Sequence, residues 1–278
     1  MAVKSRSKTS LFLEYIIMIA FTILCLYPII WLFINSFKTN KELFADPWGL
    51  PPSLSLKNYI DAFVEGNIGT YFVNSAFIAV CVLAFGILLS SMAAYAITRM
   101  KWKLSQLTLN IFLLGLMIPI YASIVPLFSI FNALKLLNTP WAVIIAQVAG
   151  SFPMAMFILT GFFSTIPADI EEAAVIDGCG ILRIFFNIIM PISKSSIVTV
   201  GVIIFLATWN DLLLPQILLS DPAKMTLPVG LMAFQGQYTT NYVGMIAAVI
   251  VTIIPTVVVY MFLHNNIMEG MVAGAVKG

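Results

Sequence analysis

Long apolar runs separated by short polar segments dominate the chain, and six of them reach the length of a membrane span. They cover about 11–36, 71–98, 107–131, 140–163, 197–219 and 243–264. A helix rises 1.5 Å per residue, so about 20 apolar residues cross the roughly 30 Å hydrocarbon layer of a bilayer. The pattern predicts an all-α integral membrane protein with six transmembrane helices in a single domain, Met1–Gly278. Prolines sit inside most runs (Pro28, Pro119, Pro126, Pro153, Pro215 and Pro255). In water they would argue against helix; in a bundle, neighbouring helices re-satisfy the freed carbonyls and kinked spans are expected. Small residues four apart, Ser90/Ala94 and Gly244/Ala248, let helices approach closely. The first run follows Lys4, Arg6 and Lys8 but extends to about Phe37, too long for a signal peptide.

Composition agrees. Of 278 residues, 61% are hydrophobic and 9% charged, against about 25% charged in soluble domains, and mean hydropathy is +1.02. A net charge of +2 gives no reason to expect nucleic acid as a partner. The basic residues instead set topology. With the N-terminus inside, the inner segments hold Lys4, Arg6, Lys8, Arg99, Lys101, Lys103, Arg183, Lys194 and Lys277, and the outer ones Lys38, Lys41, Lys57, Lys135 and Lys224. Nine against five places both termini in the cytoplasm. Cys25, Cys81 and Cys179 form no spaced framework, and His264 is the only histidine, so no metal site is expected.

Two loops exceed what a connector needs, the first outer loop (about 38–70) and the inner loop 164–196 between the fourth and fifth spans. The inner loop predicts a short helix outside the membrane. Pro167 suits its first turn, with Ser164 or Thr165 as cap. Asp169, Glu171 and Glu172 put negative charge at the positive end of the dipole, and Gly178 suits the stop. Ile170, Ala173, Ala174 and Asp177 fall on one side, where alanines make a face able to enter a partner's groove. A second segment from Ile181, apolar at Ile181, Phe185 and Ile188 and stopped by Pro191, packs the loop back onto the bundle.

Glu172-Ala173-Ala174, three residues, Gly178, nine residues, then Ile188 and Pro191 resembles the EAA loop of ABC importer permeases, with Met190 where leucine is usual. The resemblance implies that this loop is a coupling helix docking in a cleft of an ATPase subunit, through Glu171, Glu172, Ala173, Ala174, Asp177, Gly178 and Pro191. Ser36-Phe-Lys-Thr-Asn40 with Asn58-Tyr59, the triplet Trp209-Asn210-Asp211, and the tail Gly270–Gly278 are similar to the MalG-like subunit of maltose-type carbohydrate permeases. That likeness implies a heteromer in the bacterial cytoplasmic membrane: a MalF-like second permease, two ATPase copies and an extracellular solute-binding protein that delivers a sugar. Ala273, Gly274 and Lys277 would reach the ATPase, and Gln235, Gly236, Gln237 and Tyr238 the binding protein.

Asp211 is the most informative charge inside a span. Fourteen Ile, Leu, Val or Phe residues between 197 and 219 outweigh its insertion penalty. It lies about 21 Å from the inner end of its run, and the triplet reads either as a pore or gate element or as a structural hydrogen-bond site joining Asp211 to Asn210. No phosphate-binding Gly-x-x-x-x-Gly-Lys-Ser/Thr motif and no nucleophile–base pair occur. The chain is expected to be non-catalytic, with ATP and magnesium bound by the partner ATPase. The rival class is an ATP-independent secondary transporter or channel, which would show an internal repeat or a row of membrane charges.

Overall fold

The computed structural model describes residues 8–100, 102–234 and 241–275, except for the side chains of 8–10, 233 and 264–275. Every regular element among the described residues is helical. In chain order they are α1 (Lys8–Asn35), α2 (Asn40–Ala45), α3 (Lys57–Val64), α4 (Ile68–Arg99), α5 (Ser105–Leu114), α6 (Ile124–Ala133) and α7 (Pro140–Phe163). There follow α8 (Ala168–Ile176), α9 (Ile181–Ile184), α10 (Met190–Ile192), α11 (Lys194–Trp209), α12 (Leu213–Leu218), α13 (Leu227–Leu231) and α14 (Tyr242–Ala275). Among the described residues, four helices alone are long and apolar enough to cross a bilayer: Leu11–Asn35, Ile68–Arg99, Pro140–Phe163 and Tyr242–Leu263. Two bent pairs raise the number to as many as six.

The third apolar run is not one helix. Ser105–Met117 and Ile120–Ala133 meet at 89°. Pro119 offers no N–H, and its ring forces Ile118 out of helical geometry (φ −91°, ψ 114°). The fifth run also breaks: α11 ends at Trp209, and α12 begins at Leu213. A Pro215 ring in a continuous helix would strike the carbonyl of Asp211, four residues back. At the third position of a new helix its missing N–H is not needed. At its other end α11 meets the helical stretch Ile181–Ile192 at 80°. Pro28, Pro153 and Pro255, by contrast, lie inside uninterrupted helices.

The chain divides into two compact units. One takes in the described residues to Ile68 together with Leu231–Ile253. Its core is small: Leu43, Val243 and Ile246 are buried with Trp31 and Leu32 against them. Most of α1 carries exposed apolar side chains, as a lipid-facing helix would. The other unit holds Gly69–Gly230 and the residues from Ile254 on. There α7 is central, packing on α5, α11 and α12. Val143, Ile144, Leu159 and Phe163 of α7 join Ile78 and Val82 of α4, Val200 and Ile204 of α11, and Leu214 and Leu218 of α12 in one core. Ser90 and Ala94 are fully buried, as their spacing predicts.

Candidate functional site

The segment after α7 forms the expected short helix, α8, nine residues long. Its start differs from expectation. Pro167 occupies the cap position with no side-chain cap bond. Ser164 Oγ instead donates to the Gly161 carbonyl (2.8 Å) and Thr165 Oγ1 to that of Phe162 (2.7 Å). Both hydroxyls close the end of α7 rather than open α8. The stop is as expected: Gly178 has φ +79°. Gly178 N–H donates to the Val175 carbonyl (3.0 Å) and Cys179 N–H to that of Ala174 (2.9 Å), the paired bonds of a Schellman cap.

The loop's signature residues divide between two faces. Ala174 is buried in the core with Ile184 and Phe185, which removes it from any face offered to a partner. Glu171 also turns inward, its Oε1 2.7 Å from Nε of Arg99 at the end of α4. The same guanidinium donates from Nη1 to the Ile166 carbonyl (2.9 Å) and from Nη2 to that of Pro167 (3.4 Å). Glu172, Ala173, Asp177 and Gly178 are exposed, together with Val175 and Ile176, the latter 85% exposed. Of the Ile170/Ala173/Ala174/Asp177 side that spacing predicted, only Ala174 is covered; Ile170, Ala173 and Asp177 stay exposed, and the uncovered surface extends to Glu172, Val175, Ile176 and Gly178. Pro191 does not end its segment: α9, a π-helical turn at Phe185–Ile189 and α10 run on to Ile192. The wide turn pairs Met190 N–H with the Phe185 carbonyl just before the proline ring. The buried side is Ile184, Phe185 and Ile189, whereas Ile181 is exposed.

The Trp209–Asp211 triplet lies at the break between α11 and α12, and it too divides. Trp209 is buried, stacked on Phe205 (5.6 Å between centroids) and edge-on to Phe72 (5.5 Å). Asp211 is buried and accepts from Gln147 of α7 and from the Leu213 N–H (3.1 Å). Its side-chain partner is thus Gln147 rather than Asn210. Asn210 alone is exposed, its Nδ2 bonded back to the Leu206 carbonyl at 2.9 Å.

In the loop after α1 the residues behind the MalG-like resemblance are structural. Asn58 Nδ2 donates to the carbonyls of Ser36 and Lys38, both at 2.7 Å, and Tyr59 Oη lies 2.7 Å from Ser36 Oγ. Buried Lys38 donates to the Asp46 carbonyl (2.8 Å). Thr39 and Glu42 form a reciprocal capping box on α2. Asn40 Oδ1 accepts from the Val243 N–H (3.2 Å) at the start of α14. Gln235, Gly236, Gln237, Tyr238 and Lys277, and the side chains of His264, Ala273 and Gly274, lie outside the described residues. Arg99 and Gln147 were not singled out from sequence. The one available sign for Arg99 was an arginine, with its fork of donors, closing a span among lysines.

Residues 86–271 match the family described as binding-protein-dependent transport system inner membrane component. This chain belongs to that family. Among its relatives, a putative ABC transporter permease of Caldicellulosiruptor is 35% identical over 95% of this permease and 96% of the relative. The trehalose/maltose transport system permease of Thermococcus litoralis is 31% identical over 94% of each chain. A crystal structure of a bacterial ABC transporter involved in importing the acidic polysaccharide alginate superposes with a TM-score of 0.82. It covers 95% of this permease and 99% of that chain at 21% identity, and the fold is shared.

Proposed function

We propose that this permease is one half of the translocation path of an ATP-driven importer for a sugar or oligosaccharide. In this reading its whole length forms one transmembrane domain of six crossings, each bent pair counting once, with both termini in the cytoplasm of a bacterial cell. A MalF-like second permease supplies the other half, and an extracellular binding protein delivers the sugar. Two ATPase subunits hold ATP and magnesium; this chain does no hydrolysis.

One observation carries the coupling role of α8. It is a helix fastened at Glu171 and Ala174 that leaves Glu172, Ala173, Val175, Ile176 and Asp177 uncovered. A rigid backing with a free mixed apolar and acidic face is what a docking helix needs. Sugar as substrate rests on relatives such as the trehalose/maltose permease. The test is reconstitution into vesicles with the partner chains and tritiated maltose or trehalose. Uptake should require ATP, the ATPase and the binding protein; uptake that persists without the ATPase would overturn this reading.

A further inference from the structure

We infer that Arg99 is the positioning residue that carries displacement of α8 into α4, so that the coupling loop moves α4 as well as the two spans it joins covalently, α7 and α11. The inference rests on the importer reading above. Covalently, α8 is joined to α7 through the short connector 164–167 and, past Gly178, through α9 and α10 to α11, but not to α4. Arg99 adds a non-covalent attachment to α4. Its guanidinium reaches Glu171 in the first turn of α8 (2.7 Å) and the carbonyls of Ile166 (2.9 Å), Pro167 (3.4 Å) and Phe163 (3.5 Å). Those carbonyls lie at and just past the end of α7, where a cation is favoured. The carboxylate sits at the start of α8, where an anion is favoured.

A planar, permanently charged fork held on three elements resists rotation in a way a single lysine contact does not. Both side chains are largely withdrawn from water, at 11% and 17% exposure, so salt screens the pair weakly. One turn earlier in α4, the Tyr95 ring packs against Phe185 (5.4 Å), in the segment that follows α8. The end of α4 thus grips the loop both before and after its stop at Gly178, while the exposed face of α8 stays free. A load applied there reaches α4 as directly as α7.

The test uses the assembled importer with spin labels on two exposed positions, Met100 and Leu134. Trapping the ATPase with ATP and vanadate should change the label distance in the wild type. In Arg99→Gln the complex should assemble and hydrolyse ATP, but the shift should be lost, with the moved population falling about tenfold. Arg99→Lys, keeping the charge without the fork, should be intermediate. A full shift in Arg99→Gln, or no shift in a wild-type complex that hydrolyses ATP, overturns the inference. If Arg99→Gln does not assemble, Glu171→Gln keeps the shape and the carbonyl bonds. Its shift must also shrink, and an unaltered shift overturns the inference. The importer reading fails differently, by recruiting no ATPase at all.

Discussion

The loop after α1 and the loop after α7 both carry family-like motifs, yet they use them in opposite ways. In the first, Ser36, Lys38, Asn40, Asn58 and Tyr59 bond to backbone and side chains of their own unit. In the second, half the motif braces the helix and half is left uncovered. A motif therefore marks that residues matter without saying whether they hold the fold or meet a partner. Burial and hydrogen-bond partners separate the two. Polar groups that satisfy buried carbonyls are scaffold, while charged and apolar groups with no cover are surface for something else.

The largest effect is expected at Glu172. Glu172→Lys reverses a charge on the free face, and a charge reversal in a docked interface is expected to cost about 3 kcal/mol or more. ATPase co-purification should fall at least about a hundredfold while membrane insertion stays normal. Normal recruitment would remove this face from the interface. Asn58→Ala takes both 2.7 Å bonds from the carbonyls of Ser36 and Lys38. It should cost about 2 kcal/mol, read as a lower thermal midpoint in detergent, with ATPase recruitment per folded molecule unchanged. A recruitment defect without a stability defect would mean that the first loop is not mere scaffold.

Gly178 sharpens the contrast because a Cβ there meets nothing within 4 Å in this chain, while its φ is +79°. Gly178→Ala should cost about 1 kcal/mol through the left-handed backbone alone, and Gly178→Asn less. Equal transport defects from both would show that a partner approaches the glycine closely. The smallest effect is expected at Asn210. Asn210→Ala removes only a bond within its own helix, so stability should change by less than about 0.5 kcal/mol. A change in the half-saturating sugar concentration with unaltered stability would assign Asn210 to the path.

Much of the fold was legible from local pattern. The run at 140–163 matches α7 to the residue, because Thr139 and Pro140 mark its start and apolarity its length. The α8 stop at Gly178 was legible because only a glycine-tolerant backbone closes a helix that way. The breaks in the third and fifth runs were not. Six prolines lie in apolar runs, yet Pro119 and Pro215 coincide with breaks while Pro28, Pro153 and Pro255 do not. Whether a proline kinks or breaks a helix depends on what neighbours can offer the freed carbonyls, which is a tertiary property.

Local sequence alone set the helical class, the approximate run boundaries, the stop at Gly178 and the short helix in the 164–196 loop. These depend on hydropathy over a span length and on backbone preferences a few residues long, both local quantities. Only the tertiary structure decided that Ala174 and Glu171 face inward, that Asp211 pairs with Gln147 rather than Asn210, and that Arg99 ties α4 to α8. The two side-chain pairings join residues 64 and 72 positions apart. Helical periodicity says which residues share a face, but which face finds a partner depends on elements packed from elsewhere in the chain.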